Sequence, residues 1–311
     1  MQPEKIKRIL IAGGGMMGKN IAFVFTKNPA YLVGVYDMKD VDVAGGIRQN
    51  TAELVAKGVL DPAELEERLS RISFTTDPAS PLLGEADLVI EAVFEDMDVK
   101  RQTFAMLEER CRADTIFCTN SSVMSPSLIS RDLKHRERFV GTHFWNPGHL
   151  IPLVEVVKSD ATGDETADTV MKVLAGVGKE PVLCKKDVPG FIANRMQHAL
   201  WREAISIVEN GIADAETVDK AVKYSFGLRL PQLGPLENAD MVGMDLTWSI
   251  HDYILQYLED SHRPSPYLEK LRAEGKQGFK TGEGFRKWTP EEIQAANSGL
   301  NEYLIKMLYG K

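Results

Sequence analysis

Over its first half the chain alternates short apolar runs with amphipathic stretches, and beyond residue 188 the short runs stop. Ile6–Ala12, Tyr31–Tyr36, Ile72–Asp77, Ala86–Val93, Thr115–Asn120 and Pro181–Cys184 read as strands, several apolar enough to be buried on both faces. Between them, residues 19–25, 41–71, 95–112 and 164–178 carry helical periodicity, broken at Gly58 and Asp61-Pro62. Strands alternating with helices predict an α/β fold with a doubly wound parallel sheet. From Pro189 onward only helices are predicted: 189–211, 214–224, 236–259, 266–274 and 290–308. In the first, Ile192, Met196, Ala199, Leu200, Ala204, Ile207 and Val208 form the apolar stripe. The composition shifts across Lys185–Gly190. The expected organisation is therefore a sheet domain over 1–187 and an all-helical domain over 188–311.

One stretch, Gly141–Val157, breaks the alternation. Its two apolar flanks are joined by Asn146-Pro147-Gly148, which is turn chemistry, and the whole reads as a strand hairpin. His143 and Glu155 lie six positions either side of residue 149. Folded back antiparallel, they become cross-strand neighbours. A carboxylate facing an imidazole fixes its tautomer and stabilises its charged form, which makes His143 a candidate general base oriented by Glu155. The same pattern also fits a partly buried histidine satisfied by a glutamate.

The glycines Gly13, Gly15 and Gly18 form G-x-G-x-x-G between a strand and a helix. In that context the first allows a tight turn, the second a close approach of backbone to a pyrophosphate, and the third helix–strand packing. Asp37 ends the next strand 24 residues after Gly13. An acid there accepts from both ribose hydroxyls and repels a 2′-phosphate, favouring NAD over NADP. Asp37, Glu95, Asn120, Ser121, Ser122 and His143 all end or follow strands. In a doubly wound sheet they converge on the rim where ligands bind. Lys280, in the glycine-rich loop 275–284, could reach an anionic ligand or remain a solvated lysine.

Composition narrows the partners. The 311 residues are 43% hydrophobic and 26% charged, ordinary for a globular protein, and the net charge is −8 with no basic block. That argues against nucleic acid or an anionic membrane. No apolar run approaches the ~18 residues of a membrane span, and the start runs almost directly into a strand, leaving no room for a signal peptide. Three cysteines without a CxxC suggest reduced thiols and a cytoplasmic protein. The six histidines show no metal-ligand spacing, so no metal site is expected.

Several motifs together resemble the L-3-hydroxyacyl-CoA dehydrogenase family: Gly13–Gly18, Glu91-Ala-Val-Phe-Glu-Asp-Met-Asp-Val-Lys100, Asn120-Ser-Ser122, His143-Phe-Trp-Asn-Pro147 with Leu153-Val-Glu155, Asp187-Val-Pro-Gly-Phe-Ile-Ala-Asn-Arg195, Gly234-Pro-Leu-Glu237 and Lys280-Thr-Gly-Glu-Gly284. They run in order over nearly the whole chain. The resemblance implies an N-terminal Rossmann domain, a helical C-terminal domain that pairs two copies into a homodimer, and NAD as cofactor. The implied activity is reversible oxidation of an L-3-hydroxyacyl-CoA or related 3-hydroxy acid to the 3-keto product. By the same resemblance His143 is the catalytic base and Glu155 its partner, while Ser121 and Asn194 position the substrate oxygen. Gly13, Gly15, Met16, Met17, Gly18, Asp37, Glu95, Lys100, Ser121, Asn146 and Lys280 would meet NAD.

CoA-dependent members carry a lysine-rich helix after the second strand. Residues 38–58 here offer Lys39, Arg48 and Lys57 beside Asp40, Asp42 and Glu53. Leu150-Ile-Pro152 and Gly227-Leu-Arg-Leu-Pro231 resemble members acting on free hydroxy acids of the gulonate, carnitine and pyridine-carboxylate type. Arg195 or Arg229 could then hold a free carboxylate. The alternatives are thus a dehydrogenase of a free hydroxy acid or of a hydroxymethyl or aldehyde substrate, and a non-catalytic NAD-binding protein. The latter needs none of Ser121, His143, Glu155 and Asn194.

Overall fold

The computed structural model describes residues 2–310. Eight strands form one sheet: β1 (Arg8–Ala12), β2 (Leu32–Tyr36), β3 (Ile72–Thr75), β4 (Leu88–Glu91), β5 (Ile116–Thr119), β6 (Phe139–Phe144), β7 (Leu153–Lys158) and β8 (Glu180–Cys184). Their spatial order is β3-β2-β1-β4-β5-β6-β7-β8. Neighbours run parallel except β6 and β7. The loop between those two is too short for a crossover, so the chain must fold straight back.

Helices α1 (Met16–Phe25), α2 (Val43–Ala56), α3 (Pro62–Ser70), α4 (Pro81–Gly84), α5 (Met97–Arg110), α6 (Pro126–Ile129) and α7 (Asp164–Gly176) join the strands. Asp42, Asp61 and Asp96 cap α2, α3 and α5 by accepting backbone N–H groups of the first turn. Along β1, Ile9 and Ile11 enter one apolar cluster while Leu10 and Ala12 enter another. Both faces of the sheet are covered, which is why its strands read as continuous apolar runs.

The described chain divides into two compact units. The first runs to Ala193 and includes the segment from Leu300 on, and the second is Asn194–Gly299. This division falls six residues beyond the expected end of the sheet domain at 187, and it returns the last helical turns to the first unit. The second unit holds α8 (Ala193–Glu209, from its second residue), α9 (Ala215–Lys223), α10 (Phe226–Arg229), α11 (Pro235–Val242), α12 (Met244–Ile254), α13 (Pro266–Ala273) and the start of α14 (Pro290–Tyr309).

Two helix expectations are corrected. The helix expected from Pro189 begins at Ala193, because Pro189-Gly190 form a turn closed by Phe191 N–H to Val188 O at 3.1 Å, with Gly190 at φ 76°. The helix expected over 236–259 is broken at Gly243, whose φ of 97° no helix accommodates.

The loop between β6 and β7 is clamped from below. Lys179 Nζ donates to the carbonyls of Gly148 at 2.6 Å and Ile151 at 2.7 Å. Burial, and then the Lys179 ammonium, push the His149 imidazole down to about 4. The unfolded chain takes a proton there near the ordinary histidine value of 6.5, which the folded chain refuses until about pH 4. Stability from this group is therefore complete above pH 6.5 and lost as pH falls through that window. We expect roughly 3 kcal/mol of loss between pH 7 and pH 4, absent in His149→Phe, as read from urea unfolding of both proteins at the two pH values.

Candidate active site

At the end of β1 the chain must turn within a crowded space. Gly13 has φ 111°, and a Cβ there would stand 2.6 Å from Ala92 O. A Cβ on Gly18 would stand 1.8 Å from Gly13 O. Around Gly15, by contrast, a Cβ would meet nothing within 4 Å. Gly15 is the N-cap of α1 and supplies no side-chain cap, and Met16 and Met17 form the first helical positions. A bare helix N-terminus with open space over its cap suits a pyrophosphate. Asp37 lies alongside, its Oδ2 accepting from Gly14 N–H at 2.7 Å and its Oδ1 from Lys39 N–H at 2.9 Å. Two backbone bonds leave lone pairs on this carboxylate for ribose hydroxyls. The residues present therefore fit a dinucleotide.

The next two strands end in a connected polar network. Glu91, fully buried at the end of β4, accepts from Lys100 Nζ at 2.7 Å, Thr119 Oγ1 at 2.7 Å and Val93 N–H at 2.8 Å. Burial still pushes its carboxyl above the usual range, against the pull of Lys100. The same ammonium lies 3.1 Å from Glu95 Oε2. Glu95 Oε1 in turn accepts from the Ser121 hydroxyl and from Ser122 N–H at 3.0 Å. Burial raises the Glu95 carboxyl, but Ser121 and Lys100 outweigh it and hold it below the ordinary range. Ser121 Oγ also accepts Met124 N–H at 2.9 Å. Its one proton is thus directed at Glu95. Asn120 Oδ1 accepts Phe144 N–H at 2.9 Å, tying the end of β5 to that of β6.

The hairpin register sets His143 opposite Glu155. His143 Nδ1 lies 2.8 Å from Glu155 Oε2, with 4% and 0% of the two residues exposed. An ionised carboxylate only accepts, so Nδ1 carries the hydrogen and Nε2 of the neutral ring presents a lone pair. Trp145 Nε1 donates to the same oxygen at 3.3 Å. Glu155 Oε1 accepts Ile192 N–H and Ala193 N–H, each at 2.9 Å. Burial alone would raise this carboxyl, but the bonds from His143, Ala193 and Ile192 hold it below the usual range. Glu155 therefore remains an anion beside the imidazole, ready to balance an added proton.

The first unit thus contains the glycine turn, Asp37, Glu95, Lys100, Ser121, His143, Asn146 and Glu155, while Asn194, Arg195, Arg229 and Lys280 belong to the second unit. Sequence reasoning missed four partners. Glu91 and Trp145 lay inside quoted motifs without a role; an acid closing an otherwise apolar strand was the available signal for Glu91. The N–H groups of residues 192 and 193 carry no side-chain signal at all. A cavity of about 340 Å³, lined in part by Phe23, Arg68, His149 and Lys179, shares none of its lining residues with the glycine turn or the His143–Glu155 pair.

Comparison with known proteins gives the same outline. Residues 8–188 match the 3-hydroxyacyl-CoA dehydrogenase NAD binding domain, and residues 190–288 match the 3-hydroxyacyl-CoA dehydrogenase C-terminal domain. The chain is 36% identical over 292 residues to human mitochondrial hydroxyacyl-coenzyme A dehydrogenase, covering 91% of each. It is 32% identical over 293 residues to 5-formyl-3-hydroxy-2-methylpyridine 4-carboxylate 5-dehydrogenase of Mesorhizobium japonicum, covering 93% of each. A solved structure of a dehydrogenase of that pyridine carboxylate, described as an NAD+ dependent dismutase, superposes with a TM-score of 0.88 at 30% identity, covering 98% of this chain and 99% of that one. For (S)-3-hydroxybutyryl-CoA dehydrogenase from Ralstonia eutropha the TM-score is 0.76 at 29% identity, covering 92% and 100%.

Proposed function

The chain belongs to the 3-hydroxyacyl-CoA dehydrogenase family, and within that family of NAD-dependent oxidoreductases we propose that it oxidises the hydroxyl of a free hydroxy acid, with His143 as the base. The observation that carries the base assignment is the bond from His143 Nδ1 to buried Glu155, which leaves Nε2 to take the substrate proton. NAD, when bound, accepts the hydride. As His143 takes the proton, Glu155 stabilises the imidazolium, and its four donors keep it from being protonated instead. In the reverse direction His143 protonates the ketone oxygen. Ser121 would turn its hydroxyl proton from Glu95 to the substrate oxygen as charge develops there. Asn194 would add a second donor, and Asn146 and Lys280 would contact the cofactor.

The substrate reading rests on the cations after β2. Arg48, the basic residue inside α2, is engaged by Glu66 through two bonds, of 2.8 Å from Nε and 2.7 Å from Nη2. Lys57 reaches Glu302 at 3.3 Å. Each cation thus already has a carboxylate beside it, which lowers the net positive charge offered to CoA phosphates. The TM-score of 0.88 with a dehydrogenase of a free pyridine carboxylate supports the same reading. Steady-state kinetics with free 3-keto acids and their CoA esters should favour the free acids by at least roughly tenfold, since losing phosphate contacts removes the binding advantage of the larger ester. The identity with human hydroxyacyl-coenzyme A dehydrogenase favours a second reading, use of the CoA ester. A preference for acetoacetyl-CoA that disappears in the Arg48→Ala, Lys57→Ala double variant would establish it.

Pairing of two chains through the second unit belongs to the same proposal. Among the described residues of that unit, Leu271 is the one buried large apolar side chain, while Trp248, Tyr253 and Tyr257 are each 68% exposed. An apolar surface of this extent needs cover. Sedimentation at micromolar concentration should give a dimer, and Trp248→Glu should shift it toward monomer.

A further inference from the structure

Phe191 is the one non-glycine residue with positive φ among those described, at 51°. For an aromatic residue this is an outlier, costing about 1–3 kcal/mol. Its ring is nevertheless 2% exposed and packs with Val157 and Cys184. The ring centroid lies 5.7 Å from that of His143, at an interplanar angle of 57°. Trp145 approaches the same imidazole at 5.4 Å. Immediately after the strained position, two successive N–H groups converge on Glu155 Oε1.

We propose that Phe191 is a positioning residue for the His143–Glu155 pair: its left-handed backbone aims Ile192 N–H and Ala193 N–H at Glu155, and its ring walls the imidazole from water. The inference rests on the reading of His143 as base. An ordinary negative φ at residue 191 would rotate the following peptide and carry Ile192 N–H away from the carboxylate. A glycine would take the same turn without strain. What glycine cannot supply is the ring, so the strain is retained where both backbone direction and apolar bulk are required. Water admitted beside the imidazole would compete for the Nδ1–H bond and for the protons His143 exchanges with substrate.

The test compares Phe191→Gly and Phe191→Leu with the wild type in the full-length protein. Phe191→Gly keeps the backbone direction and removes the ring. It should lower kcat by about 10- to 100-fold while leaving the KM for NAD within about twofold. The downfield proton resonance of His143 Nδ1–H should broaden through exchange with water. Phe191→Leu, which keeps apolar bulk, should recover most of kcat and the resonance. If the glycine variant does not fold, Phe191→Asn, which tolerates the left-handed region, is read by the same two signals. A wild-type kcat and an unchanged resonance in the ring-less variant would overturn the proposal, as would a loss shared equally by kcat and NAD affinity and not recovered by leucine. His143→Gln, measured alongside, separates the two claims. Near-normal turnover there removes the base assignment, whereas an inactive His143→Gln beside a fully active Phe191→Gly removes only the role of Phe191.

Discussion

Replacing His143 with glutamine should lower kcat by roughly 10²–10⁴-fold, the usual worth of a positioned base. Glutamine can still donate toward Glu155, so the carboxylate keeps a partner and the hairpin should stay folded. What it cannot do is hold a proton taken from the substrate hydroxyl. The glycine turn and Asp37 follow β1 and β2, away from the substitution in the sheet order. NADH binding, measured by fluorescence titration, should therefore change little. A variant with near-normal turnover would end the mechanism. A variant that had also lost NADH binding would point to a damaged fold rather than a missing base.

The second large effect concerns stability. Lys100→Met removes the ammonium from a carboxylate with no exposure to solvent. Breaking one side of a buried ion pair costs about 3–5 kcal/mol, because the other charge stays buried without compensation. Thr119 and Val93 still donate to Glu91, and its carboxyl, already pushed up by burial, can take a proton. Both place the loss toward the lower end of that range. The double variant Glu91→Gln, Lys100→Met should recover most of it, since it leaves no fully buried charge, and the Glu95 carboxylate that also loses Lys100 is partly exposed. Urea unfolding of the wild type, both single variants and the double variant checks this as a cycle. The single Lys100 variant should also bind NADH more weakly. Glu95 loses its cation at 3.1 Å and with it part of the hold on Ser121. Equal stability of Lys100→Met and wild type would show that Glu91 is already neutral.

Much of this site is legible as a pattern. The symmetry of His143 and Glu155 about residue 149 announces their pairing, because a short hairpin leaves few registers that keep its flanks apolar. The G-x-G-x-x-G turn announces itself through three positions where the structure has little room for a side chain or needs open space. Strand runs such as those at β1 and β4 are readable because burial on both faces removes polar alternation. These are local consequences of spacing, and one chain suffices to see them. The helix boundaries at Pro189 and Gly243 were readable in kind but not in place. The late start after Pro189 and the break at Gly243 come from backbone angles at Gly190 and Gly243, which periodicity does not report.

The remaining features depend on which strands become neighbours. Glu91 meets Thr119 because β4 lies beside β5, and Ser121 meets Glu95 because the loops after those strands share a rim. Arg48 is paired to Glu66 by the packing of α2 against α3, which turns a residue countable as a phosphate ligand into half of an ion pair. Ile192 and Ala193 reach Glu155 across 37 and 38 positions with backbone groups that every residue except proline possesses. The base and its partner are thus written in the order of residues along one hairpin. The two backbone donors at residues 192 and 193, and the strained Phe191 that aims them, reach Glu155 only once β7, β8 and the turn before α8 have been brought together in space.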